Sequence, residues 1–147
     1  MKKVLLIIIC LILLTGCSSN KTNSNNQKTN TKESDLVSDI KVIINNKTYT
    51  LKLENNNTVE EFIKLLPQEY AMNELNGNEK YVYINNSLPT NSYNPNHIEK
   101  GDVMLYGDNC LVIFYKSFDT NYSYTKIGHI NDLDNLGNNN IKVQFKK

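Results

Sequence analysis

Fifteen consecutive residues, Ser18 to Lys32, contain no apolar side chain. A segment with nothing to bury cannot offset the entropy of its own ordering. It therefore reads as a flexible tether, and any core must be built from the residues that follow. The linker extends over residues 17–36; about fifteen residues of this composition have a typical reach on the order of 20 Å. The folded part is then a single domain at 37–147, of ordinary globular size.

What precedes the tether is equally polarised. Lys2 and Lys3 give a short positive start, and Val4 to Leu14 is an unbroken apolar run. A run of about eleven residues is shorter than the roughly 20 needed to span a bilayer, but it suits the apolar region of a signal peptide. Leu14-Thr15-Gly16-Cys17 resembles the bacterial lipobox. That resemblance implies cleavage between Gly16 and Cys17, a diacylglyceryl thioether on Cys17, and stable anchoring through two or three acyl chains. The expected address is the extracytoplasmic face of a cell membrane, with the lipid bilayer as the first partner.

From about Asp39 the sequence changes to short strand-like runs broken by Asn and Gly. Ile40 to Ile44, then Asn45-Asn46, then Lys47 to Leu53 predicts a β-hairpin, because paired Asn tolerates the positive φ of a primed turn. Thr58-Val-Glu-Glu61 reads as a capping box opening a helix whose apolar face is Phe62, Ile63, Leu65 and Leu66, with Pro67 as the stop. Further strands are expected around Glu69–Leu75, Tyr81–Ile84, Asp102–Tyr106, Leu111–Tyr115, Tyr124–Ile130 and Ile141–Phe145. About eight short strands with one or two short helices predict a mainly β fold, a small closed barrel or a sandwich.

Charge and composition exclude several functions. All 16 basic residues are Lys, and Trp is absent. The chain thus lacks the guanidinium forks that dominate phosphate and base-edge recognition. Without Lys2 and Lys3, 14 Lys face 15 Asp plus Glu, so no nucleic-acid partner is implied. Cys10 falls in the signal peptide and Cys17 in the lipobox, which leaves Cys110 as the one thiol of the domain and allows no internal disulfide. In an apolar strand it reads as a small hydrophobe. His97 and His129 have no metal-ligand spacing, and the Asp132 to Asn140 stretch lacks the pattern of a calcium loop. No metal and no cofactor is expected.

Ile98 to Tyr115, with Leu88 to Tyr93 and Ser123 to Gly128, resembles the bacterial cyclophilin-like domain family, the match covering roughly Ile40 to Phe145. The resemblance implies a cyclophilin-type β-barrel with a groove on its wall. It also offers two activities: peptidyl-prolyl isomerisation, and service to a flavodoxin-type redox system through a flavoprotein partner. Proline isomerases polarise the substrate amide with an Arg, and this chain has none. Cys110 or Leu111 stands where their Gln would be, and Tyr124 falls near the position of their pocket His. The expectation is a non-catalytic module with a peptide or small-molecule ligand. Its groove is assigned to Asn91, Tyr106, Asn109, Phe114 and Tyr124, since aromatic faces and amide donors suit such ligands.

Overall fold

Asn45-Asn46 sets the first turn of the domain. In a computed structural model that describes residues 38–147, both Asn hold positive φ, 50° and 67°. They join β1 (Asp39–Ile44) to β2 (Lys47–Leu53) in the predicted hairpin. The expected signal peptide, the expected lipidation site Cys17 and the expected linker lie outside the described residues.

Helix α1 (Asn57–Lys64) follows, but its cap differs from expectation. Asn56 Oδ1 accepts from the Val59 N–H at 3.0 Å, Thr58 Oγ1 donates to the Pro89 carbonyl at 2.6 Å, and Glu61 pairs with Lys64. Asn is at least as good an N-cap as Thr, and Asn55 to Asn57 offer one two residues earlier. The released Thr58 hydroxyl ties the helix to a distant loop.

The remaining strands are β3 (Gln68–Leu75), β4 (Glu79–Tyr83), β5 (His97–Ile98), β6 (Asp102–Tyr106), β7 (Cys110–Phe114), β8 (Phe118–Asp119), β9 (Thr125–Ile130) and β10 (Ile141–Lys146). Eight of them close a barrel in the order β1-β10-β3-β4-β7-β6-β9-β2, with β2 returning to β1. Every pairing is antiparallel. The two-residue strands β5 and β8 form a separate ribbon, too short to leave a periodic signal in sequence.

Alternation fills the barrel. Val42, Leu51, Met72, Val103, Leu111, Ile113, Ile127, Val143 and Phe145 point inward and are fully buried. Helix α1 covers the end at Phe145, where the Phe62 and Phe145 rings meet edge to face at 5.5 Å. The loop 131–140 covers the end at Ile141 with Leu133 and Leu136. Beneath that loop the fully buried Lys80 ammonium pairs with Glu74 and donates to the carbonyls of Gly137 and Asn139 at 2.6 and 2.9 Å. Gly128 marks the tightest strand approach: a Cβ there would stand 2.1 Å from the Lys52 carbonyl oxygen of β2.

Candidate functional site

β7 is buried along its whole length, which a strand in a barrel wall is only when something also covers its outer face. Leu111 and Ile113 face the barrel interior, while Cys110, Val112 and Phe114 face outward into a second apolar cluster with Ile98, Met104 and Tyr124. The chain segments around β5, β8 and Tyr124 provide this cover. They leave part of the outer wall open.

Strand register defines what lies in that opening. Across β4 and β7 the outward pairs are Glu79 with Phe114, Tyr81 with Val112, and Tyr83 with Cys110. Across β7 and β6 they are Met104 with Val112 and Tyr106 with Cys110. Three strands thus place a row of Tyr83, Cys110 and Tyr106 beside a row of Tyr81, Val112 and Met104, with Glu79 at one corner. Tyr124 leans over this surface, its ring 5.6 Å from Tyr106 and 5.5 Å from Phe114. Tyr122 stands against Tyr106 at 6.0 Å and 87°. The result is a groove of about 300 Å³, closed at one side by Leu75 and Asn76.

Its surface is unusual for this molecule. Leu75, Tyr83, Tyr106 and Tyr122 line it and are four of the five large apolar or aromatic side chains exposed among the described residues, Tyr83 and Tyr122 at 65% and 64%. Single exposed aromatics need no explanation, but a cluster around a concavity marks a binding surface.

One ionisable carboxyl sits among these rings. Glu79 is half-buried and, among the described residues, takes part in no ion pair and no side-chain hydrogen bond. Burial, and secondarily the charge of Glu74, push its pKa up to about 7. Burial likewise raises the Cys110 thiol, with Glu79 adding to the effect, so the groove holds a protonated and unreactive sulfur. No Lys lines the groove.

The expected groove residues divide. Tyr106 and Tyr124 line the groove; Phe114 is fully buried beneath it as a support for Tyr124. Asn109 lies in the β6–β7 turn, where its side chain donates to the Ile84 carbonyl at 3.4 Å. Asn91 lines a different cleft with Tyr93 and Lys126, its N–H donating to Thr125 Oγ1 at 3.0 Å. Glu79, Tyr81, Tyr83 and Tyr122 were not assigned from sequence. The alternation in Glu79-Lys-Tyr-Val-Tyr83 carried the signal for the first three, since its odd positions share one face.

The other titratable groups serve the frame. Buried Asp102 accepts from His129 at 3.0 Å, pairs with Lys126 at 3.2 Å and takes the Glu99 N–H at 3.0 Å, pinning β6 to β9. His97 bonds Asp119 at 2.6 Å across the β5–β8 ribbon. Asp134 ties the 131–140 loop to Lys47 and to the Tyr49 hydroxyl at 2.7 and 2.8 Å. Among the described residues no group of three or more His, Cys, Asp or Glu is arranged to hold a metal ion.

Compared with known proteins, residues 42–146 match the family model described as the cyclophilin-like family. No curated protein and no solved structure matches the chain.

Proposed function

The chain belongs to the cyclophilin-like family, and on that premise we propose that it is a lipid-anchored binding module whose outer-wall groove holds a ligand without transforming it. The observation that carries this reading is the gathering of three of the four exposed aromatic side chains among the described residues around one concavity over β4, β7 and β6. Rings on neighbouring strands are positioned by sheet register, so the surface is rigid before any ligand arrives, which lowers the cost of binding.

Two features support a non-catalytic role. Rotation about a prolyl amide starts from a barrier of about 18–20 kcal/mol, and lowering it requires a donor fixed where charge develops. The chain has no Arg and its groove no Lys, so no cation stands there to polarise an amide. The buried thiol and the unpaired carboxyl form no nucleophile–base pair with a third, orienting group. The anchor rests on Leu14 to Cys17 and on the polar tether behind it, which would hold the domain clear of the membrane surface.

Two assays test the halves of the proposal. In a cis/trans prolyl-peptide assay the purified chain should leave the rate at background; an acceleration abolished by Tyr106→Ala would overturn the non-catalytic reading. Cells fed labelled palmitate should label the wild-type chain and fail to label Cys17→Ser. Equal labelling would remove the anchor.

A further inference from the structure

The groove carries more information than its aromatic content. Five of the chain's nine tyrosines line it, with a single carboxylate among them. Neighbouring rings stand almost perpendicular, Tyr81 to Tyr83 at 82° and Tyr106 to Tyr122 at 87°. Perpendicular rings form corners in which two π systems can address one guest. The negative face of an aromatic ring attracts a cation within about 6 Å of its centroid, and the protein's own cations leave these rings alone. The cation–π contacts among the described residues are Lys47 over Tyr49 and Lys80 and Lys116 over Tyr115, all outside the groove.

Glu79 gives this surface a sign. Its neighbour across the sheet is Phe114, it shares the groove with Tyr81 and Tyr124, and the charge acting on it is another carboxylate, Glu74. Among these rings the half-buried carboxyl is partly desolvated, which disfavours its charged form. A cationic guest would favour that charged form. Size and hydrogen bonding narrow the class: about 300 Å³ is the lower end of the range for ligand pockets. A primary ammonium would seek three acceptors, whereas this site offers mostly ring faces, which suits a methylated ammonium head.

Resting on the reading of this groove as the binding site, we infer that its ligand is a small quaternary ammonium compound, its head held at the Glu79 end of the groove by the rings of Tyr81 and Tyr124 with Glu79 as counter-charge.

The test uses the purified full-length chain in a nonionic maltoside, titrated at pH 8 with choline and with its neutral isostere 3,3-dimethylbutan-1-ol, and read by amide chemical shifts. Choline should move the amides of Glu79, Tyr81 and Tyr124 and bind at least tenfold more tightly than the isostere. Glu79→Gln, which keeps the shape and hydrogen-bonding capacity, should bring the two within about threefold by weakening choline alone. Equal binding of choline and isostere would overturn the cation and leave the groove standing as an apolar site. Tighter binding of Nα-acetyl-lysine amide than of choline would overturn the quaternary head and point to a lysine side chain. Choline shifts that map elsewhere, or that Glu79→Gln leaves unchanged, would also overturn the inference, while the groove itself is judged separately by the ligand it retains from cells.

Discussion

Two glutamates one turn apart in sequence show how position decides chemistry. Glu74 and Glu79 flank the β3–β4 turn, yet their carboxyls move in opposite directions. Burial raises Glu74, but the Lys80 ammonium, the Tyr115 hydroxyl and the Gly77 N–H outweigh it and hold the group below its ordinary value. Glu79 has no such partners and rises to about 7. The consequences for stability have opposite signs. A depressed carboxyl stabilises the fold at neutral pH and loses that contribution as pH falls. A raised one makes the folded state hold an extra proton between about pH 4.5 and 7, so stability declines as pH rises through that window and levels off above it. Glu79→Gln should therefore be more stable than wild type at pH 8, by on the order of 1–2 kcal/mol given the partial exposure of the site, and equal to it near pH 4. Denaturant melts at the two pH values measure this directly. The groups facing Glu79 are Glu74 from β3, Tyr81 and Tyr83 on its own strand, Cys110 from β7, and Tyr106, Tyr122 and Tyr124 beyond; burial pushes both the Cys110 thiol and the Tyr124 hydroxyl up, away from this range. Little of this was legible beforehand. Both residues are acidic in an Asn-rich stretch, and only the pairing of β4 with a strand some thirty residues away separates them.

Among the elements, those with strong local signals were legible and those fixed by distant contacts were not. The Asn45-Asn46 hairpin follows from turn chemistry alone. The cap of α1 moved from Thr58 to Asn56 because Thr58 is claimed by Pro89, a residue no local rule connects to it. The same holds for Lys80, which sits fully buried in a strand pattern that gives no hint of Gly137 or Asn139 above it. This pin makes two predictions. Lys80→Met should cost about 3–5 kcal/mol, because it leaves the Glu74 carboxylate without its counter-charge. Adding Glu74→Gln to that variant should restore part of the loss, and a double-mutant cycle of chemical melts measures the coupling. Closure of the barrel is equally specific: β2 and β9 pair through only Leu51 to Leu53 against Ile130 to Gly128. Gly128→Ala puts a methyl against the Lys52 carbonyl and should destabilise the domain by about 3 kcal/mol or more, beyond the usual range for one added methylene, because the obstacle is backbone. A melt indistinguishable from wild type would show that β2 and β9 can separate without loss.

For the whole molecule, the barrel was visible in sequence and the groove only in outline. Short alternating runs with Asn and Gly breaks give a mainly β fold, barrel or sandwich, and the resemblance around Ile98 to Gly128 selects the barrel and places Tyr106 and Tyr124 near one another. The groove itself depends on three strands in register, so Tyr83 meets Tyr106 across Cys110 only when β4, β7 and β6 are aligned. Asn91 and Asn109, chosen for their amides, belong to loops that register does not bring to this face. A raised thiol pKa and a covered sulfur also predict that Cys110 reacts slowly with iodoacetamide at pH 8 in the folded chain and rapidly in denaturant. On the proposed reading, the outer wall over β4, β7 and β6 is where this protein meets its ligand. The most direct test is a crystal structure of the chain purified from its own cells under conditions that retain bound molecules. Extra density over Cys110 and Val112, bounded by Tyr81, Tyr83, Tyr106 and Tyr124, is the predicted result. Density in the cleft beside Asn91 and Tyr93 instead, or a groove filled by the inward-turned rings of Tyr83 and Tyr122, would contradict it.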